Sequence, residues 1–258
     1  MRTFLVAAAM AAATLQQSAP SFAVASIKAN RSGAREVTFG MPGGGRFSAT
    51  NVPLREIIRV AYSVPDFVIV DAPGWTSSER FDIVAKADGA PERDELFQML
   101  RSLLADRFKL AVRREKRELP QYTLVRARPD GPLGSRLRPS TADCPALLSA
   151  AQKGTPIPKS SRILCGRQGR PGQMIVGGQT MDQIAEGFWG PLQRVVVNRT
   201  GIAGSFDLDL DYAPDASVPS DAPSIFTAVQ EQLGLKLEST SGPVDVLVIA
   251  GVQHPTEE

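Results

Sequence analysis

The sequence holds a single histidine, His254, four residues before its end. A Ser/His/Asp triad, a Cys/His dyad or a histidine-rich zinc site would have to use it. Its polar surroundings, PTEE, suit a tail better than a rigid catalytic centre. Asp207, Asp209 and Asp211 alternate along SFDLDLDY. On a strand, side chains repeat every two residues, so the three carboxylates share one face. Such a row suits a hard cation such as calcium. The EF-hand pattern is absent, because Val218 stands where a bidentate Glu belongs. The simpler expectation is a solvated strand face opposite Leu208, Leu210 and Tyr212. Glu115 and Glu118 have the types for acid–base work, but nothing in the sequence singles them out. The glycines Gly43 to Gly45 lack the following Lys-Ser/Thr of a phosphate loop and read as a hairpin turn. The sequence therefore assigns no catalytic, metal or cofactor residue.

Contact chemistry is more visible. From Arg101 to Arg138 there are 11 basic and 4 acidic residues, a balance of +7. From Asp182 to Glu231 there are 8 acidic and 2 basic, a balance of −6. The densest basic stretch is Arg113, Arg114, Lys116 and Arg117, expected on a hairpin and a candidate contact for an acidic partner. Trp75, in a turn, is a second candidate contact, since an exposed aromatic can anchor a partner. Trp189 is expected to pack.

The residues that must carry these groups have an export address. Arg2 precedes a nearly apolar run from Phe4 to Leu15, closed by Gln16 and Gln17. A run of that size is shorter than the roughly 20 residues that cross a bilayer as a helix and suits a secretory signal. Residues 1–20 are expected to be that signal, and the protein to be secreted or periplasmic. Cys144 and Cys165 are the only two cysteines. In an exported chain an even count points to a disulfide, here closing the loop 144–165. Inert thiols and a redox pair are the alternatives, the latter weakened by the lack of a CxxC spacing.

Composition is that of a globular chain. Of 258 residues, 43% are hydrophobic and 22% charged, which excludes a wholly disordered chain, a collagen and a multi-span membrane protein. A net charge of +2 gives no argument for nucleic acid.

The order of elements repeats. PLREIIRVAY carries Leu54, Ile57, Ile58 and Ala61 at helical spacing, and Met181, Ile184, Ala185 and Phe188 follow at an offset of 127. Val68–Val70 answers Val195–Val197, RFDIVAKA answers SFDLDLDY, and the Leu96, Leu100, Leu103, Leu104 helix answers SIFTAVQEQLGLKLE. In the first strand, Phe22 and Val24 are expected to face inward. FKLAVRREKREL with QYTLVRA reads as a closing hairpin. The fold class expected is α+β: two tandem, duplicated units of a small sheet with two helices, 21–132 and 133–258.

GRFSATNVPLREIIRVAY, DAPGWTSSERFDIVAKA, LLADRFKLAVRREKRELPQYTLV and VVVNRTGIAGSFDLDLDY together resemble a secreted bacterial family of unknown function expanded in soil acidobacteria, in which some relatives carry a BlaR-type metallopeptidase module. That resemblance implies export and supplies no catalytic residues. TMDQIAEGF, VVVNRTGIAGSFDLDL, SIFTAVQEQLGLKLE and VDVLVI, in that order, show a pattern by which each half also resembles the short N-terminal domain of secretins and TonB-dependent receptors, a docking module, which implies function by contact. The expectation is a non-enzymatic binding or protein-interaction module of the cell envelope, its partner an envelope protein or an acidic polymer. The alternative is a secreted hydrolase with an acid- or hydroxyl-based site.

Overall fold

The computed structural model describes residues 19–152, 155–156, 165–214 and 220–255. The apolar run Phe4–Leu15, expected to be an export signal, lies outside them. The class is α+β. Two compact units divide the chain. The first takes the described parts of Met1–Val64, Asp71–Arg113 and Ile249–Glu258; the second takes those of Pro65–Val70 and Arg114–Val248. This differs from a single cut between residues 132 and 133, because short segments are exchanged between the halves of the sequence.

In the first unit, β1 (Val24–Ala29), β2 (Thr38–Gly40), β3 (Arg46–Pro53) and β5 (Arg80–Lys86) form an antiparallel sheet in the order β1-β5-β3-β2. Ile83 is the register point, facing Ile27 on one side and Ala49 on the other. Phe22, just before β1, packs partly buried against Ala87, Leu96 and Met99, but Val24 within the strand faces outward, contrary to expectation. Ile27 is 5% exposed and Val24 69% exposed. Pairing with β5 aligns Ile27 with buried Ile83, and a period of two then turns Val24 outward. Helix α1 (Leu54–Tyr62) presents the expected stripe, and Leu54, Ile57, Ile58 and Ala61 are all fully buried. Burying each such Leu or Ile side chain contributes roughly 1.5–3 kcal/mol. Helix α2 (Trp75–Ser78) is one turn long, and α3 (Arg93–Arg107) packs on α1. The Phe81 and Phe108 rings meet edge to face at 5.2 Å.

In the second unit, β7 (Leu137–Pro139), β8 (Gly166–Arg170), β9 (Gln173–Thr180) and β11 (Ser205–Asp211) form an antiparallel sheet in the order β7-β11-β9-β8. Counted along the chain, each of the two sheets runs first, fourth, third, second. Helix α5 (Met181–Gly187) starts with a capping box, in which the Thr180 hydroxyl accepts from the Gln183 amide and the Gln183 side chain accepts from the Thr180 amide. Helix α6 (Trp189–Leu192) follows, and α7 (Ile225–Leu233) ends at Gly234. Met181, Ile184, Phe188, Leu208, Leu210 and Leu233 make the core. Helix α4 (Cys144–Gln152) occupies the start of the segment expected to be a loose loop.

A third sheet, in the order β10-β6-β12-β4, corrects the expected hairpin. Residues 111–126 form one 16-residue strand, β6 (Ala111–Arg126), with no turn inside it. Glu118-Leu119-Pro120-Gln121 offers no Gly or Asn to reverse the chain, and Pro120 lies outside the stretch Tyr122–Leu124 that pairs with β10 (Val196–Asn198). β12 (Leu235–Gly251) is likewise unbroken over 17 residues, and β4 (Ile69–Val70) joins it in parallel.

Candidate functional site

The straightening of β6 redistributes the basic run. Alternation along the strand places Arg113, Glu115 and Arg117 on one face and Arg114, Lys116 and Glu118 on the other. Arg117 pairs with Glu115, and Lys116 Nζ lies 2.9 Å from Asp245 Oδ1. The four cations are not one patch: they are split between two faces, and Lys116 and Arg117 are each paired with a carboxylate.

Trp75 is half-buried at the start of α2. Its indole stacks on the His254 ring, with centroids 4.1 Å apart and planes 24° from parallel. His254 Nε2 lies 3.0 Å from Glu79 Oε2, and the Gln253 amide donates to the Phe108 carbonyl at 2.7 Å. The one histidine thus fastens the end of the chain and covers one face of the tryptophan that sequence offered as a contact. Trp189 packs as expected, its indole N–H donating to the Val196 carbonyl at 3.1 Å.

The aspartate row meets arginines from its neighbour. Asp209 accepts from Arg138 at 2.6 Å, and Asp211 accepts from Arg136 and from Gln173. The Arg136 guanidinium holds the Asp211 carboxyl below its usual 3.8, and burial offsets part of that effect. Asp207 is used differently: its Oδ1 accepts the Gly178 amide at 2.9 Å. Among the described residues, no three His, Cys, Asp or Glu side chains gather as a metal site would require.

Strand β8 stands at the edge of its sheet with four of its five residues exposed. Its sequence is GRQGR, so Arg167 and Arg170 project from opposite faces. The Cys144–Cys165 disulfide, with Cα atoms 5.5 Å apart, ties down the residue just before it. An open cleft of about 610 Å³ lies beside the strand, lined among others by Arg167, Arg170, Gly172, Gln173, Tyr212 and Pro214. Arg167 lies across the end of α5 so closely that a Cβ on Gly187 would come within 2.5 Å of its guanidinium. Sequence reading fixed the disulfide but missed this edge, since a five-residue strand with two glycines and no hydrophobic alternation carries no strand signal.

A family model described as protein of unknown function (DUF3738) matches residues 55–252. The chain belongs to that family. The match begins at the second residue of α1, takes in both long strands and stops short of His254. No curated protein and no solved structure matches.

Proposed function

We propose that this member of the DUF3738 family is an exported, non-catalytic interaction module that binds an extended segment of an envelope partner along β8. The observation carrying the reading is an exposed edge strand, held just before its first residue by a disulfide, with an arginine on each face and a cleft beside it. An open edge can accept an added strand: main-chain bonds give affinity, and side chains at alternate positions give selectivity. Glycines 166 and 169 let a second backbone approach, and Arg167 and Arg170 favour acidic side chains on the incoming strand. The disulfide supports an oxidising compartment, hence secretion or the periplasm.

The reading extends to ancestry. The two antiparallel four-stranded sheets arise by duplication, which their common strand order and their matching carboxylate-held bulges support. The resemblance of each half to envelope docking domains supports the same class of function.

The test is a photo-crosslinker at Gln168, used in native envelope with the unmodified chain and with Arg167→Glu/Arg170→Glu. The expected result is one acidic-segment partner captured by the first and lost from the second, with circular dichroism unchanged. Equal capture by both would contradict the proposal. So would reproducible turnover in a broad hydrolase screen that one point change abolishes.

A further inference from the structure

The first unit carries a separate cleft of about 430 Å³, lined by Arg31, Arg35, Arg80, Asn30, Asn51 and neighbouring residues of the 33–37 stretch. No carboxylate is among its lining residues, and three guanidiniums are. All three arginines are exposed, and none of them is ion-paired among the described residues. Arg80 donates to the Asn51 carbonyl at 3.2 Å, which leaves its other N–H groups free to turn into the cleft.

The floor is built rather than incidental. Asn51 is 5% exposed and sits in the left-handed region at φ 59°. Its side-chain amide donates to the carbonyls of Ala34 and Glu36, at 2.6 and 2.9 Å, and so clasps the strand-free stretch that presents Arg31 and Arg35. Asp82 Oδ1 in turn accepts from the Asn51 amide and from the Asn30 side chain, both at 2.8 Å. Asn30 Oδ1 accepts from the Ser32 amide at 3.0 Å, which fixes the turn beside Arg31. The polar side chains below the cleft are therefore occupied with one another, while the three arginines are held by no carboxylate among the described residues.

We propose that this cleft binds a phosphomonoester, with Arg31, Arg35 and Arg80 as the anion-holding residues. Three guanidiniums with no carboxylate among the lining residues suit a phosphate monoester, which carries roughly −1.5 to −2 at neutral pH. Planar guanidiniums grip paired phosphate oxygens bidentately, a match that a single carboxylate exploits only once. The volume falls in the range of about 300–1,000 Å³ typical of small-ligand sites, so there is room for a carrier such as a sugar behind the phosphate. This site is distinct from β8 and stands or falls independently of it.

The experiment is an amide NMR titration of the folded chain, disulfide intact, with inorganic phosphate and with glucose 6-phosphate at constant ionic strength. The variants are Arg31→Gln/Arg35→Gln and, as a control that removes surface charge elsewhere, Arg114→Gln. Expected are saturable shifts in residues 30–37, at least a ten-fold rise in Kd in the double variant, and less than a two-fold change in the control. Tighter binding of the sugar phosphate would support the site and place the carrier in the cleft. Equal affinity would support it with free phosphate as the ligand. Absence of saturable shifts at 30–37, or equal weakening by Arg114→Gln, would overturn the proposal.

Discussion

The antiparallel sheets β1-β5-β3-β2 and β7-β11-β9-β8 share a device and load it differently. In β3, Asn51 adopts φ 59°, and its amide donates to Asp82 on β5 at 2.8 Å. In β9, Gly178 adopts φ 60°, and its amide donates to Asp207 on β11 at 2.9 Å. Both sites coincide with a slip in strand register. A bulge turns one amide out of the ladder, and a carboxylate from the neighbouring strand satisfies it. The difference lies in the side chain. Asn51 clasps two loop carbonyls, whereas Gly178 holds nothing, and the second unit pins its exposed edge with Cys144–Cys165 instead. A left-handed position takes Asn where its amide has work and Gly where it has none.

The largest expected effect comes from the covalent pin. Cys144→Ser/Cys165→Ser opens a loop of sequence separation 21. In the chain-entropy model this costs about 3 kcal/mol. Urea denaturation with and without reductant measures it, and thiol titration of the denatured, unreduced protein should find no free thiol. Equal stability of the oxidised and serine forms would remove the disulfide from the comparison.

Asn51→Ala comes next. It loses two loop hydrogen bonds and puts a Cβ-bearing residue without a polar side chain at positive φ, for a cost of about 2–3 kcal/mol. Asn51→Gly keeps the backbone relaxed and loses only the clasp, about 1–2 kcal/mol. Gly178→Ala costs about 1–2 kcal/mol from backbone strain alone. Denaturation midpoints give all three values. If Asn51→Gly is as benign as Gly178→Asn, the clasp contributes nothing and the two bulges are equivalent.

A smaller effect appears in acid. The Asp211 pKa is lowered, mainly by Arg136. A lowered folded-state value means that the pair's stabilisation is complete above the usual 3.8 and is lost as pH falls through the folded value. Arg136→Gln should move the Asp211 carboxyl resonance midpoint upward toward 3.8 and flatten the loss of stability below that pH. Both side chains are more than a third exposed, so the change in stability itself is small. The smallest effect is at Arg114, exposed on β6, where charge reversal should change stability by no more than about 0.5 kcal/mol.

Sequence made the two units' helices legible because their burial follows a period. Leu54, Ile57, Ile58 and Ala61 recur at helical spacing, and all are buried. The disulfide was legible by counting. The long strands were not, because a strand that continues past Pro120 depends on which neighbours reach it and not on local turn chemistry. The side of β1 that faces inward was set by register against Ile83, a partner more than fifty residues away. The phosphate cleft was hidden for the same reason, since Asn51 finds Ala34, Glu36 and Asp82 only once the sheet has formed. One signal was available: Asn51 and Gly178 are separated by the repeat offset of 127, and Asn and Gly are the residues that tolerate a left-handed backbone.

The central claim is strand addition at β8, and amide hydrogen exchange tests it most directly. With the partner captured through Gln168 bound to the protein, strand addition predicts slowed exchange at alternating amides between Gly166 and Arg170, those pointing away from β9. Exchange along β8 that is unchanged by a bound partner, with protection appearing on other elements, would contradict the account.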